Sequence, residues 1–430
     1  MSLVSSKVAA SRRKQGALLV AAVVAAIVAA SLTPAAGNAA VSRAVTATNG
    51  TITVAGLGYA ANFGDAGTGA AARFQRANQN KEVKGYTFDY KEFADDKNDP
   101  ATALSETRRL VAQDGIFALV PDVSTSTPSD YLTQQQIPWF GPGYDVTYCP
   151  SSGKGGFGFS TYGCLIPNNP KVLPGPQWEL LKKEFASKGI SKPTAALIGS
   201  DQQSGKVSVQ NSASTAQGAG FDVVYAKGAV PAPPAVVSDY TPYAQALLKA
   251  NNGKAPDVIY SSVEPTGSLT LINLLKSSGY TGTFLSPFYV NLLLKPLTGA
   301  YVFLQFAGFE ATSAGIKQMA TDVQAYKPGA ENSLTLAAGY FAADMFIQAV
   351  KNALKTSKTL TSTAVQQAAS KMTYQIKDTI GPTTYPASYK YSVKACATLE
   401  YDADGSAFTI AQPYFCTTKT YPILPKFANG

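Results

Sequence analysis

Residues 116–142 read IFALVPDVSTSTPSDYLTQQQIPWFGP. The apolar run Ile116–Val120 has the length and composition of a buried strand, and Ile137–Phe140 has the same character. Between them, Thr127-Pro128 sets a helix start, and Asp130 sits where a negative charge suits a helix N-terminus. Strand, turn, helix and strand within so few residues is the unit of a parallel α/β sheet. Ser124, Thr125, Ser126 and Thr127 crowd the point where the first strand ends. In an open parallel sheet that end faces the ligand crevice, where hydroxyls and free helix-start N–H groups receive polar or anionic groups. The stretch holds no nucleophile–base pair and no metal cluster, so it points to holding a molecule and not to transforming one.

The alternation extends in both directions. Upstream, Thr51–Leu57 reads as a strand, Gly67–Asn80 as a helix and Tyr86–Phe93 as the next strand. Asp99-Pro100 supplies an N-cap and a favoured first helical residue, and Gly115 stops that helix. Downstream, residues 149–176 are rich in Gly, Ser, Asn and Pro and read as a crossover loop. Alternation then resumes with a helix around Trp178, Leu181 and Phe185. Strands follow at Thr194–Ile198, Phe221–Tyr225, Asp257–Ser261 and Thr283–Ser286. The helices between them are centred on Gly205–Gln217, Tyr240–Leu248 and Leu269–Leu275. After Gly308 three helices follow in succession, Gly315–Tyr326, Leu334–Leu354 and Thr363–Met372. The tail Tyr385–Tyr414 reads as antiparallel strands around the turn signal Asp402-Ala403-Asp404-Gly405. The expected class is α/β, with parallel sheets covered by helices.

Lys7, Arg12, Arg13 and Lys14 precede the apolar run Ala17–Ala30 and a small-residue tail through Ala40. This pattern reads as a secretory signal over residues 1–40 with cleavage near Ala39. A retained N-terminal anchor is the alternative. A twin-arginine character is weakened by Gln15 and Gly16, and no cysteine near the cleavage region supports a lipid anchor. Those residues carry four basic and no acidic side chains, leaving +5 of the formal +9 for the rest of the chain. The excess is scattered, which argues against a nucleic-acid partner. Four cysteines suit an exported chain with two disulfides. Three pairings are open; Cys149–Cys164 and Cys396–Cys416 are favoured because each closes a local loop.

Histidine is absent. Ser-His-Asp, Cys-His and His-metal chemistry are thereby removed. Ser151-x-x-Lys154 has a serine–lysine spacing, but it sits in a Gly-rich loop with no Lys-Thr-Gly partner. Gly56-x-Gly58 lacks the third glycine of a dinucleotide fingerprint. A glycosidase-like carboxylate pair depends on three-dimensional spacing, and no pair stands out. No cofactor and no metal are expected.

The order of these elements resembles a type I periplasmic binding protein, in the branched-chain amino acid (leucine/isoleucine/valine) branch of ABC-transporter receptors. Phe63-Gly64-Asp65, Asp95-Asp96 with Asp99-Pro100, Asp114-Gly115-Ile116 and Ser124 through Pro142 carry the resemblance. It implies two lobes, each a mostly parallel sheet flanked by helices, that close on a small molecule. The first lobe would span 48–165 and 312–380, the second 166–311 and 381–425. It places Phe63 on the ligand, the turn around Ser124 and Thr125 at the ligand's carboxylate, and Gly143, Tyr144 and Asp145 in a second carboxylate-holding loop. Asp145 departs from the family's hydroxyl there. In the second lobe Ser204-Gly205 matches a Tyr-Gly pair and lacks its ring. Pro287-Phe288 falls where amino acid receptors carry an acid for the ammonium, and Glu264 lies in the neighbouring loop. Phe288, Tyr289 and Tyr144 make the expected cleft aromatic. The same residues have plainer uses: Ser124–Thr127 and Glu264 as helix caps, the rings as packing, Asp145 as a loop acid or cation-binding group. The function implied is that of a monomeric receptor delivering a small carboxylate, amide, aromatic or amino-acid-like solute to ABC permease subunits. An extracytoplasmic sensor domain and a secreted hydrolase are the alternatives.

Overall fold

A computed structural model describes residues 44–150, 156–167, 169–289 and 297–427. The residues 1–40 read as a signal, and the Ser151-x-x-Lys154 spacing, lie outside them. Strand β1 (Thr51–Gly58) leads through the short helix α1 (Ala60–Phe63) and α2 (Asp65–Gln79) to β2 (Thr87–Asp95). Helix α3 (Pro100–Ala112) follows, with the Asp99 carboxylate accepting the Thr102 N–H as the cap read from sequence. Then come β3 (Ala118–Asp122), α4 (Ser129–Gln134), β4 (Trp139–Gly141) and β5 (Gly158–Ser160). These five strands form a sheet in the order β2-β1-β3-β4-β5, parallel throughout.

The chain continues through β6 (Val172–Leu173), α5 (Pro176–Ser187) and β7 (Thr194–Ser200) to α6 (Gln203–Gly218) and β8 (Asp222–Val230). Helix α7 (Thr241–Leu248), β9 (Val258–Ser262), α8 (Pro265–Ser277), β10 (Thr283–Ser286) and β11 (Tyr301–Leu304) follow. Helices α9 (Ala314–Tyr326), α10 (Leu334–Thr356) and α11 (Ser362–Ala369) lead to the hairpin β12 (Thr373–Ile376) and β13 (Ile380–Thr384). The chain ends with β14 (Ala395–Asp402), β15 (Phe408–Thr417) and β16 (Tyr421–Pro422). The second sheet runs β15-β14-β11-β10-β9-β7-β8, parallel from β8 to β11 and antiparallel at β14 and β15. The tail hairpin thus extends a parallel sheet that the chain had left at β11.

Sequence reading placed no strand at Tyr301–Leu304. That stretch belongs to an apolar run with no period to mark its limits, and a short apolar run alone does not distinguish strand from helix. Residues 149–176, read as a loop, supply two short strands, β5 at the edge of the first sheet and β6 paired with β16. The disulfides Cys149–Cys164 and Cys396–Cys416 both form. Cys396 and Cys416 are opposite partners across β14 and β15.

Helices α9 and α10 return to pack against α2 over the first sheet. Phe346 of α10 meets Phe74 of α2, Phe88 of β2, Phe117 just before β3 and Phe140 of β4. A Cβ at Gly69 would collide with the Leu336 carbonyl, and one at Gly339 with the Ala66 carbonyl, so bare backbones set the spacing of α2 and α10. At that contact the buried Arg73 donates from Nε to Asp344 (2.6 Å) and forks onto Glu82 (2.9 Å for both bonds). Burial alone would raise the Glu82 carboxyl, but hydrogen bonds from Arg73 and Lys351 hold it down at about 2. Among the described residues, no helix is long and apolar enough to cross a membrane.

Candidate functional site

In each sheet the strand order reverses beside its first strand, β1 in one and β7 in the other. Crevices outside the C-terminal ends of strands at such reversals are where open α/β sheets bind ligands. A cavity of about 280 Å³ lies there, lined from the ends of both sheets. Tyr59, Asn62 and Phe63 follow β1, Asn98 follows β2, Thr125 follows β3 and Tyr144 follows β4. From the other sheet come Ser200 at the end of β7, Ser204 after it, Glu264 after β9 and Phe288 after β10.

Three polar contacts join the strand ends of one sheet to those of the other. Asn98 Nδ2 donates to the Pro233 carbonyl at 2.8 Å, and Asn62 Nδ2 to Glu264 Oε2 at 3.3 Å. Ser204 Oγ donates to Asp145 Oδ2 at 3.5 Å, the limit of a hydrogen bond.

The residues singled out from sequence divide into two groups. Phe63, Thr125, Tyr144, Ser204, Glu264 and Phe288 line the cavity. Phe63 and Tyr144 face each other with ring centroids 6.1 Å apart. Glu264 also caps α8, accepting from the N–H groups of Gly267 (2.5 Å) and Thr266 (2.8 Å). Ser124, Gly143, Asp145 and Tyr289 are not in the lining. Ser124 is buried behind it, its hydroxyl accepting the Ser126 N–H. Gly143 holds φ +90, and a Cβ there would press on Ser160. Asp145 is buried and accepts the Thr147 N–H as the cap of a short 3-10 turn. Tyr289 packs between Phe309 and Phe408, both at 4.6 Å, and donates to Glu310 at 2.7 Å.

The turn around Ser124 is occupied by the chain's own acceptors. Ser124 N–H and the Thr127 hydroxyl donate to Asp122 (3.3 and 2.8 Å), as does the Tyr148 hydroxyl (2.9 Å), and the Thr125 hydroxyl donates to Asn98 Oδ1 (2.6 Å). Asp122 is fully buried, and burial pushes its carboxyl up to about 7 against the pull of the two hydroxyls. Burial likewise raises the carboxyls of Asp96 and Asp145. Tyr59, Asn62, Asn98 and Gln305 also line the cavity and were not singled out from sequence. For Tyr59, Asn62 and Asn98, a place just past a predicted strand was the available signal. Among the described residues, no cluster of His, Cys, Asp or Glu could hold a metal.

The periplasmic binding protein family matches residues 50–406. No curated protein matches the chain. The fold is similar to that of a possible leucine/isoleucine/valine-binding protein from Rhodopirellula baltica SH 1 (TM-score 0.65, 14% identity, covering 87% of this chain and 98% of that one). It is similar to a fatty acid ABC transporter substrate-binding protein from Thermomonospora curvata (TM-score 0.66, 17% identity, 89% and 97%). It is also similar to an ABC transporter solute binding protein from R. palustris in complex with 4-hydroxybenzoate (TM-score 0.59, 17% identity, 85% and 97%). With a match that runs from the start of β1 past the end of β14, the chain belongs to the periplasmic binding protein family.

Proposed function

We propose that this protein is the extracytoplasmic substrate-binding receptor of an ABC importer, closing two lobes on a small organic solute and passing it to permease subunits. The observation that carries the proposal is a cavity lined by strand ends of both sheets. Closure of two lobes around such a cavity expels water and completes a site that neither lobe holds alone. The three contacts across the cavity correspond to the closed arrangement. Residues 48–165 with 312–380 are taken as one lobe and 166–311 with 381–425 as the other. The membership of β14 and β15 in the second sheet supports this division, as does the packing of α9 and α10 on α2. Solved relatives of this fold are named for branched-chain amino acids, a fatty acid and 4-hydroxybenzoate, so small organic solutes are the range to test. Phe63, Tyr144 and Phe288 supply the apolar contact, and Thr125, Ser204 and Glu264 the polar contact. Binding proceeds without turnover, by a monomer exported through removal of its N-terminal signal.

A thermal-shift screen across amino acids, amides and aromatic acids, followed by calorimetry, tests the reading. A saturable ligand recovered unchanged is expected, with Phe288→Ala and Thr125→Ala each weakening it by roughly ten-fold. Turnover of the ligand would overturn the receptor role. Unchanged affinity in both variants would overturn the site.

A further inference from the structure

The cavity does not stop between the lobes. Ser204, Ser208, Asn211 and Thr215 of α6 all line it. Their spacing of four, three and four residues puts them on one helix face, and at 1.5 Å per residue they span about 16 Å. Ile166, Leu173, Tyr260, Phe303 and Ala397 line the same cavity, the last three from within β9, β11 and β14 of the second sheet. The cavity therefore continues from the interlobe cleft as a channel along α6, inside the second lobe.

Polar atoms in this lining are left open. Asn211 is buried, and its Nδ2 donates to the Pro167 carbonyl at 3.2 Å, yet its Oδ1 has no partner among the described residues. The Tyr144 hydroxyl in the cleft and Gln305 Oε1 are likewise without one. Buried polar groups are costly unless hydrogen-bonded, so the Tyr144 hydroxyl and Gln305 Oε1 point to a polar group that meets them. Charge is arranged against an anion in the cleft. Glu264 lines the cleft, Asp96, Asp122 and Asp145 are buried behind the Ser/Thr turn, and the donors of Ser124, Thr125 and Thr127 are already taken by Asp122 and Asn98. Among the described residues, Lys394, exposed, is the one cation in the lining.

From this geometry we infer that the ligand is an uncharged, elongated molecule, its hydroxyl or amide end between the lobes and its apolar body laid along α6. The inference rests on the receptor reading and names its substrate class. It also excludes a compact zwitterion as the best-fitting occupant, because such a ligand would leave the channel unfilled.

Calorimetry on the purified protein at neutral pH with butyramide, octanamide and dodecanamide, and with the matching carboxylic acids, tests it. Affinity is expected to climb from butyramide to octanamide, since each pair of buried methylenes is worth roughly ten-fold. Each acid is expected to bind at least roughly ten-fold more weakly than its amide, because the donors of the Ser/Thr turn are already taken by Asp122 and Asn98 and its carboxylate would share the cleft with Glu264. Ser208 sits four residues along the channel, so Ser208→Phe blocks it there. That variant should bind octanamide no better than butyramide while keeping butyramide affinity. Its melting temperature should match the parent's and reports on folding, and the parent's own amide and acid series carries the test whether or not the variant folds. A flat amide series overturns the inference, as do acids that match their amides or a Ser208→Phe variant that keeps the chain-length gain. If branched-chain amino acids or aromatic acids bind and the amides do not, the inference falls and the receptor stands. If neither set nor the wider screen yields a ligand, the receptor reading itself falls.

Discussion

Asn98 offers the sharpest test of closure. It lies just past β2 with φ 53, a left-handed conformation that asparagine tolerates and glycine adopts freely. Its side chain is buried, donates to the Pro233 carbonyl of the other lobe at 2.8 Å, and accepts from Thr125 at 2.6 Å. Asn98→Gly removes the bridge without straining the backbone, so the loss measured belongs to the side chain. A buried neutral hydrogen bond is worth about 1 kcal/mol net, which is about five-fold in the ratio of closed to open forms. Where the ligand binds through the closed form and that form is the minority, its dissociation constant rises by the same factor. The half-buried Asn62–Glu264 contact is longer at 3.3 Å, so Asn62→Ala should cost about two-fold or less. Because the two bridges share no partner, the double variant should multiply the effects to about ten-fold. Small-angle scattering of the ligand-free variants should show a larger radius of gyration, and calorimetry the weaker binding. If Asn98→Gly scatters and binds as the parent does, the bridge does not sustain closure and the reasoning fails.

Three further outcomes follow from other parts of the molecule. Arg73→Ala leaves Glu82 and Asp344 without their shared cation at the α2–α10 contact and should cost about 3–5 kcal/mol in urea unfolding at neutral pH. Glu82 titrates at about 2 when folded against 4.5 unfolded, so its contribution is present above 4.5 and lost as pH falls through 2; unfolding curves of the variant should show a smaller loss, the Lys351 contact remaining. Asp122 behaves in the opposite sense. Its folded value of about 7 lies above the unfolded 3.8, so between those limits the folded state holds more protons and stability from this group declines as pH rises; Asp122→Asn should flatten the profile between pH 4 and 7 relative to the parent. Gly69→Ala should lower stability by about 1–3 kcal/mol, read as a fall in melting temperature, because its methyl collides with the Leu336 carbonyl; an unchanged melting temperature would show that α2 and α10 can move apart freely.

Much of the fold was legible because its signals are local. Asp99-Pro100 capped a helix as read, Thr283–Ser286 was a strand within the limits expected, and the Asp402–Gly405 turn joined two antiparallel strands. Strand β11 was hidden because a fully buried strand carries no alternation to read. The site was legible only in part. A position past a strand end is visible in sequence, which is why Phe63, Thr125 and Phe288 could be named. Whether a side chain then turns toward the cavity depends on distant partners. Tyr289 follows Phe288 directly, yet it turns away because Phe309, Phe408 and Glu310 receive it. Asp145 sits beside Tyr144 and spends its carboxylate on Thr147. The channel along α6 was invisible for a related reason. A face of Ser, Asn and Thr reads as solvent-exposed until the opposing wall is known.

Cys164 and Cys396 both line the cavity, one from the segment after β5 and the other from β14. Each is tied by its disulfide to a cysteine near in sequence, Cys149 and Cys416. These cavity walls are therefore finished by oxidation, to bonds that persist in oxidising environments. Protein produced in a reducing cytoplasm would carry both sheets yet present loosened walls. Ligand screens on such material would under-report, and the oxidation state of the sample belongs beside every affinity measured on this receptor.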